Sequence, residues 1–202
     1  MEAFTRLTAV AAPLTMANVD TDKIVPARFL RKPRSAGYGK FLFLDIRTDA
    51  AGNEKPDFVL NQAPYREAKI LVAGVNFGCG SSRAGAVFAV SDYGIRCVIA
   101  PSFGDIFNDN CIQNGVLPVV LPESDVAWLQ EQLRDAPGAR LTVDLESQSV
   151  TAPDGATYRF EIDPGHKERL LKGLDDIALM LQHLTEIEAF ESRYHAAQPW
   201  LA

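Results

Sequence analysis

Lys69-Ile-Leu-Val-Ala-Gly-Val75, running into Asn76-Phe-Gly-Cys-Gly-Ser-Ser-Arg83, is the stretch whose reading decides the fold. Its first seven residues form an apolar run of strand length, and the next eight break that run into a glycine-rich turn. An Ala/Val-rich segment of helix length follows and stops at Gly94. Arg96-Cys-Val-Ile-Ala100 is a second apolar run, positions 102–114 read as helix, and Val116-Leu-Pro-Val-Val-Leu121 is a third run. Short apolar runs alternating with helix-length segments predict parallel strands joined by right-handed crossovers. Such a sheet binds ligands beyond the carboxyl ends of its strands, where helices begin. Gly78-Cys-Gly-Ser-Ser-Arg83 falls at such a junction.

The residue types there suit an anion. Gly78 and Gly80 allow positive φ and let the Gly78–Cys79–Gly80 backbone approach a ligand closely. Ser81 or Ser82 is placed to cap the following helix, whose unpaired N–H groups and dipole attract negative charge. Arg83 adds a planar fork that matches a carboxylate or phosphate. A dinucleotide fingerprint needs a third glycine where Arg83 stands and an acidic end to the second strand, where Ala100-Pro101 stands instead. A phosphate-cradling loop needs Gly-Lys-Ser/Thr, which the turn lacks, and Gly80-Ser-Ser-Arg-Ala84 departs from the Gly-x-Ser-x-Gly of a nucleophile elbow. Nucleotide binding is disfavoured, and an NAD-dependent oxidoreductase with it.

At 202 residues, 47% hydrophobic and 23% charged, the chain suits one large domain or a domain with an appendage. Its formal charge of -6 argues against nucleic acid or an anionic membrane surface as partner. No run reaches the roughly 18 apolar residues of a membrane span, and Met1-Glu-Ala-Phe-Thr-Arg6 lacks the basic-then-apolar order of a secretory signal. A cytoplasmic enzyme is expected. Cys79, Cys97 and Cys111 are odd in number and form no Cys-x-x-Cys pair, so neither a disulfide framework nor cluster ligation by this chain is expected. His166, His183 and His195 form no metal spacing with one another and read as surface or helix-end residues; no metal site is assigned.

Outward from the centre, Phe4 to Pro13 alternates weakly as a strand. Asn18-Val-Asp-Thr-Asp22 is a turn and helix cap rather than a calcium loop, because Ile24 and Val25 stand where a ligand and a glycine are needed. Arg28, Arg31, Lys32, Arg34, Lys40 and Arg47 concentrate six of the twenty basic residues in one segment. Pro33 and Gly37-Tyr-Gly39 suggest a mobile loop there, suited to drawing a dicarboxylate inward. Asp49 to Pro64 is a turn-rich connection. A helix from Pro122–Ser124 to about Arg134 buries Trp128, Leu129 and Leu133. Leu141–Leu145, Ser149–Thr151 and Thr157–Ile162 read as short antiparallel strands, with Asp154-Gly155 as a hairpin turn. Helices follow from Asp163-Pro164 to Gly173 and over Leu174–Leu184, and Thr185-x-x-Glu188 reads as the capping box of a last one.

Asn76-Phe-Gly-Cys-Gly-Ser-Ser-Arg83, Ser91-Asp-Tyr-Gly94, Ile99-Ala-Pro-Ser-Phe103, Asp105-Ile-Phe107 and Asn114-Gly-Val-Leu-Pro118 together resemble the small subunit of 3-isopropylmalate dehydratase, in the aconitase superfamily. Asn18-Val-Asp-Thr-Asp22, Ile24-Val-Pro26 and Gly173-Leu-Asp-Asp-Ile177 fit the same family, so the resemblance spans positions 4–191. It implies an α/β fold, a swivelling β/β/α domain with a parallel sheet core and additional antiparallel strands. Residues 1–202 would form that single domain, with a C-terminal helical appendage over about 164–202. It implies a hydro-lyase that interconverts 2-isopropylmalate and 3-isopropylmalate, active only with a large subunit. The [4Fe-4S] cluster would sit on that large subunit and act there as Lewis acid. Ser81 would be the base, made less costly as an alkoxide by the helix N-terminus and nearby N–H groups. Ser82 would donate a hydrogen bond to substrate, and Arg83 would hold a carboxylate. The basic segment would help select the substrate, with Arg34 as its candidate contact.

The family usually follows Ser-Ser-Arg with Glu-His-Ala, and this chain has Ala84-Gly85-Ala86. Loss of a first-turn acid forfeits about 0.3–1 kcal/mol of dipole stabilisation. A helical Gly85 costs up to about 1 kcal/mol more. The fold tolerates both. The alternatives that the change raises are a subunit for another branched hydroxy dicarboxylate (citraconate/2-methylmalate or dimethylmalate) and a non-catalytic assembly subunit.

Overall fold

A computed structural model describes residues 1–201. Seven strands make one mixed sheet: β1 (Arg6–Leu14), β2 (Ile70–Ala73), β3 (Cys97–Ala100), β4 (Leu117–Val120), β5 (Arg140–Asp144), β6 (Ser149–Thr151) and β7 (Thr157–Arg159), in the order β4-β3-β2-β1-β5-β6-β7. β1 to β4 are mutually parallel, with Ala11 opposite Ile70, Ile70 opposite Cys97 and Cys97 opposite Leu117. β5 turns antiparallel against the other edge of β1, and β6 and β7 continue as hairpins. The expected core of parallel strands flanked by antiparallel ones is therefore present in a single sheet.

Alternation along the strands divides the core in two. Ile70, Val72, Cys97, Ile99, Leu117 and Val119 face one layer. Leu71, Ala73, Val98 and Ala100 face the other. Among the described residues there are eight helices: α1 (Thr21–Ile24), α2 (Leu44–Arg47), α3 (Ala84–Tyr93), α4 (Asp105–Gln113), α5 (Glu123–Asp135), α6 (Pro164–Lys172), α7 (Asp176–Leu181) and α8 (Leu184–Ala197). On the first layer α5 packs Val126, Leu129 and Leu133, while Trp128, expected in that stripe, is 51% exposed. Neighbouring helix positions lie about 100° apart, so a face centred on Leu129 turns Trp128 outward. On the second layer α3 packs Ala86, Val87 and Val90.

Positions 28–47, inside which Pro33 and Gly37-Tyr-Gly39 suggested a mobile loop, are folded into short turns around an aromatic cluster. Phe29 stacks on Phe41 with ring centroids 4.1 Å apart, and Tyr38 meets Phe41 and Phe88 edge-on. Tyr38, Phe41, Leu42 and Phe43 are buried. That apolar content ties the segment to the core, and its basic residues are left at the surface.

Over the expected appendage, positions 164–202, the described helices differ in burial. Leu170 of α6 is fully buried, and its carbonyl accepts from Phe4 N at 2.9 Å, so α6 belongs to the body. α7 and α8 carry no buried residue. Thr185 does not cap α8: the helix begins at Leu184 with His183 at the cap position and no side-chain cap bond, which places Thr185 inside the first turn.

Candidate active site

Three consecutive parallel strands end at the same edge, and the segments that leave them are laced together. Asn18–Asp22 follows β1, Phe77–Arg83 follows β2 and Phe103–Phe107 follows β3. Phe77 N donates to Ser102 O at 3.0 Å and Gly104 N to Phe77 O at 2.9 Å. On the other side Gly78 N donates to Val19 O at 2.7 Å, and Thr21 N to Cys79 O at 2.9 Å. The Asn76 side-chain amide donates to Asn18 Oδ1 at 2.8 Å. These bonds satisfy backbone groups that the strands release and fix the turn from both flanks.

A cleft of about 210 Å³ opens between these segments, lined among others by Thr21, Gly78, Gly80, Ser81, Arg83, Asp105 and Asn110. Ser81 is exposed in it. Arg83, with its side chain only 17% exposed, pairs with Asp22, whose own side chain is 56% exposed. The structure thus brings Gly78, Gly80, Ser81 and Arg83 to one opening. Cys79 is half-buried within the turn, and Ser82 is exposed beside it.

The glycines act differently from one another. Gly78 has φ 73°, and a Cβ there would sit 2.2 Å from Phe107 Cγ. The close neighbour that this position requires is therefore a buried ring, where a ligand was expected. Gly80 has φ 96°, and its nearest neighbour would be 3.6 Å from a Cβ, so only the backbone angle demands glycine.

Neither serine caps α3, contrary to expectation. The helix begins at Ala84 with Arg83 at the N-cap, its backbone extended (φ −142°, ψ 100°) and without a side-chain cap bond. Ser81 is held through its backbone instead, its carbonyl accepting from Thr21 Oγ1 at 3.0 Å. The first turn of α3 also lacks an acidic side chain, which leaves its positive dipole end uncompensated.

Arg34 does not reach this opening. Its guanidinium donates to Asp92 at 2.9 and 3.2 Å and to Asn114 at 3.1 Å, and lies 4.3 Å from the Phe88 ring centroid. Asp92 is near the last residue of α3, about 13 Å along the axis from Arg83. Arg28 is likewise engaged by Asp45, and Arg47 donates to Lys40 O at 3.2 Å. Arg34, expected as a substrate contact, is thus engaged by Asp92, Asn114 and Phe88 and stands apart from the Ser81–Arg83 opening in this structure.

Among the described residues no group of three or more His, Cys, Asp or Glu side chains is arranged to hold a metal ion. Burial pushes the Cys97 and Cys111 thiols well above the ordinary range, so they are poor sources of thiolate ligands. These residues do not fit an iron–sulfur cluster. No described helix is long and apolar enough to cross a membrane.

Sequence reasoning missed Thr21, Asp22, Asp105 and Asn110 as members of the site. Asn18–Asp22 and Asp105–Phe107 were visible as motifs, but their pairing with residues about 25–60 positions away is a property of the sheet. The structure also explains Ala84-Gly85. Gly85 is buried, and a Cβ there would meet Leu30 Cδ2 at 2.9 Å and Tyr38 Cε1 at 3.0 Å. The small residue lets the start of α3 approach the 27–41 segment, and Gly85 is not part of the cleft lining.

A parallel sheet edge carrying a Gly-x-Gly-Ser-Ser-Arg turn, laced to the segments after its neighbours, is the architecture of an aconitase-type swivelling domain. In agreement, the aconitase C-terminal domain model matches residues 1–124. The LeuD_N model matches 129–164, and the model of the C-terminal domain of the 3-isopropylmalate dehydratase small subunit matches 176–202. The chain is 52% identical over 201 residues to the 3-isopropylmalate dehydratase small subunit of Dinoroseobacter shibae, covering 100% of both. It is 56% identical over 200 residues to that of Gluconacetobacter diazotrophicus, covering 99% of this chain and 97% of the other. The crystal structure of 3-isopropylmalate dehydratase (leuD) from Methanocaldococcus jannaschii superposes with a TM-score of 0.64 at 26% identity, covering 94% of this chain and 99% of that one. The chain belongs to the 3-isopropylmalate dehydratase small-subunit family.

Proposed function

We propose that this chain supplies the proton-abstracting base and a carboxylate clamp to a two-chain hydro-lyase that interconverts 2-isopropylmalate and 3-isopropylmalate through 2-isopropylmaleate, a step of leucine biosynthesis in the cytoplasm. Ser81 takes the proton from the carbon α to a carboxylate, and Arg83 holds a carboxylate of the diacid after exchanging it for Asp22. Ser82 donates a hydrogen bond at the rim, and the N–H groups of Cys79 and Gly80 add positive potential around the serine, that of Gly78 being taken by Val19 O. The uncompensated N-terminus of α3 makes negative charge on Ser81 less costly, the more so once water is excluded. The large subunit would hold a [4Fe-4S] cluster, which would supply the Lewis-acid chemistry for loss of the hydroxyl from the neighbouring carbon. The chain serves as one swivelling domain that closes on that partner, with α7 and α8 as its appendage.

The observation that carries this reading is the shared opening of Ser81 and Arg83 in one cleft of about 210 Å³, beside the N-terminus of α3. The small-subunit relatives support a large-subunit partner that completes it. The rival substrates rested on Ala84-Gly85, and the contacts of Gly85 with Leu30 and Tyr38 give that change a packing role away from the cleft. In the reassembled two-chain enzyme, Ser81→Ala is expected to lower kcat on 2-isopropylmalate by roughly 10²–10⁴-fold while the chains still co-elute. Near-normal turnover removes Ser81 as the base.

A further inference from the structure

Among the described residues three polar side chains are buried: Thr21, Asn61 and Gln130. Two of them have evident structural duties. Asn61 Nδ2 donates to Arg47 O at 2.7 Å and Lys55 O at 2.8 Å, closing the excursion between them. Gln130 Nε2 donates to Val72 O at 3.1 Å and Leu14 O at 3.4 Å, pinning α5 to the ends of two strands. Thr21 is the third, and it is 3% exposed.

Its bonds bracket the glycine turn. Thr21 N donates to Cys79 O at 2.9 Å, and Thr21 Oγ1 donates to Ser81 O at 3.0 Å. The one residue thus grips the Cys79–Gly80 peptide, just before Gly80, and the Ser81–Ser82 peptide, just after Ser81. Gly80 itself sits at φ 96° with no atom closer than 3.6 Å to where a Cβ would be, so side-chain packing does not hold it there. A glycine in that region has the widest conformational choice of any residue. Without the Thr21 hydroxyl, the backbone of Ser81 could rotate about Gly80.

We infer that Thr21 is a positioning residue, whose hydroxyl fixes the Ser81 peptide and thereby the direction in which the serine side chain enters the cleft. The inference rests on the proposed role of Ser81 as base. Thr21 borders the cleft but is 3% exposed, and its hydroxyl is turned to the Ser81 carbonyl, so the role inferred for it is to act through Ser81. Asp20 supports it from the other side, accepting from Lys23 N at 2.7 Å and so fixing the short helix that begins at Thr21.

The test uses the reassembled two-chain enzyme and compares Thr21→Val, Thr21→Ser and Ser81→Ala on 2-isopropylmalate. Valine keeps the buried shape and deletes the donor, while serine keeps the donor. A misplacement of order 1 Å costs about a hundredfold in rate, so Thr21→Val is expected to lower kcat by roughly 10- to 100-fold. KM and the thermal midpoint should change little by comparison, and Thr21→Ser should recover most of kcat. A residue that merely stabilises the fold would lower the midpoint without splitting kcat from KM. Should valine prevent assembly, Thr21→Ala against Thr21→Ser gives the same comparison without β-branching, and equal turnover of those two overturns the inference. Full turnover by Thr21→Val beside an inactive Ser81→Ala overturns the clamp alone, and full turnover by Ser81→Ala overturns the base assignment.

Discussion

Gly78→Ala tests how the glycine turn is built, and the structure supplies its cost. An alanine at φ 73° accepts a left-handed backbone at about 1–2 kcal/mol. Its Cβ would lie 2.2, 2.5 and 2.7 Å from Phe107 Cγ, Cδ1 and Cβ, where carbon contacts are ordinarily about 3.5–4.0 Å. Phe107 is 2% exposed and packs edge-on against Phe77 at 5.4 Å, so moving the ring disturbs that packing. Overpacking of this kind costs a further ~1–3 kcal/mol, for a total of ~2–5 kcal/mol. Gly80→Ala is the internal control: its φ is 96°, but the nearest atom would be at 3.6 Å, leaving the backbone term alone. At about 2–4 °C per kcal/mol for a domain of this size, Gly78→Ala should lower the thermal midpoint by ~4–20 °C and Gly80→Ala by ~2–8 °C. Thermal unfolding of both variants, alone and combined with Phe107→Ala, separates the two terms. Removing the ring should reduce the Gly78 penalty to the Gly80 level. An unchanged Gly78 penalty without the ring would refute the packing account.

Arg34→Ala should leave KM for 2-isopropylmalate unchanged and cost ~0.5–2 kcal/mol of stability, since it deletes a half-exposed ion pair to Asp92 and a stack on Phe88; a tenfold rise in KM at constant thermal midpoint would restore it as a substrate contact. A thiol reagent should modify one cysteine in the native chain and three after denaturation, with peptide mapping assigning the first to half-buried Cys79, because Cys97 and Cys111 are fully buried with thiols pushed up. On acidification the 45–66 excursion should loosen first. Bonds from Arg28 and Arg66 hold the Asp45 and Glu54 carboxyls below their ordinary values of 3.8 and 4.5, and Asn53 does the same for Asp49. The folded form then binds these protons less readily than the unfolded chain, so the stabilisation is complete above about pH 5 and declines as pH falls through the lowered values. Hydrogen exchange between pH 7 and 3 reads it, and protection of 45–66 that persists to pH 3 would contradict the assignment.

The central strands were legible because Ile70–Ala73 and Cys97–Ala100 are buried on both faces, and Leu117–Val120 is so up to half-exposed Val120, so each reads as an unbroken apolar run, punctuated by Gly74 and Gly94. Local patterns of that kind carry their own boundaries. The 27–47 segment offered no period. Its aromatic residues at 29, 38, 41 and 43 follow neither helix nor strand spacing, and Pro33 and the paired glycines around Tyr38 signalled a loop. Only the facing surface of α3, with Phe88 and Gly85, shows why those rings pack. The site divides along the same line. Gly78, Gly80, Ser81 and Arg83 are contiguous and announce themselves, whereas Thr21 and Asp22 join them only because β1 and β2 run parallel in register.

Ala84-Gly85 shows how a departure beside a motif gains its meaning from what it touches. Counted as helix energetics, the two residues are a loss of at most about 2 kcal/mol, with no stated gain, and that imbalance invites a functional explanation. The buried position of Gly85 supplies the missing side. A Cβ at 2.9 Å from Leu30 and 3.0 Å from Tyr38 would push α3 away from a ring whose hydroxyl donates to Lys32 O at 2.9 Å and whose edge meets Phe41 and Phe88. Close approach of helix and aromatic cluster offsets the poor helix propensity. The exposed Ala84, meanwhile, leaves the first turn of α3 free of negative charge beside Ser81 and Arg83, which favours an anionic substrate more than a glutamate there would. Both changes are compatible with an intact site, one through packing and the other through charge.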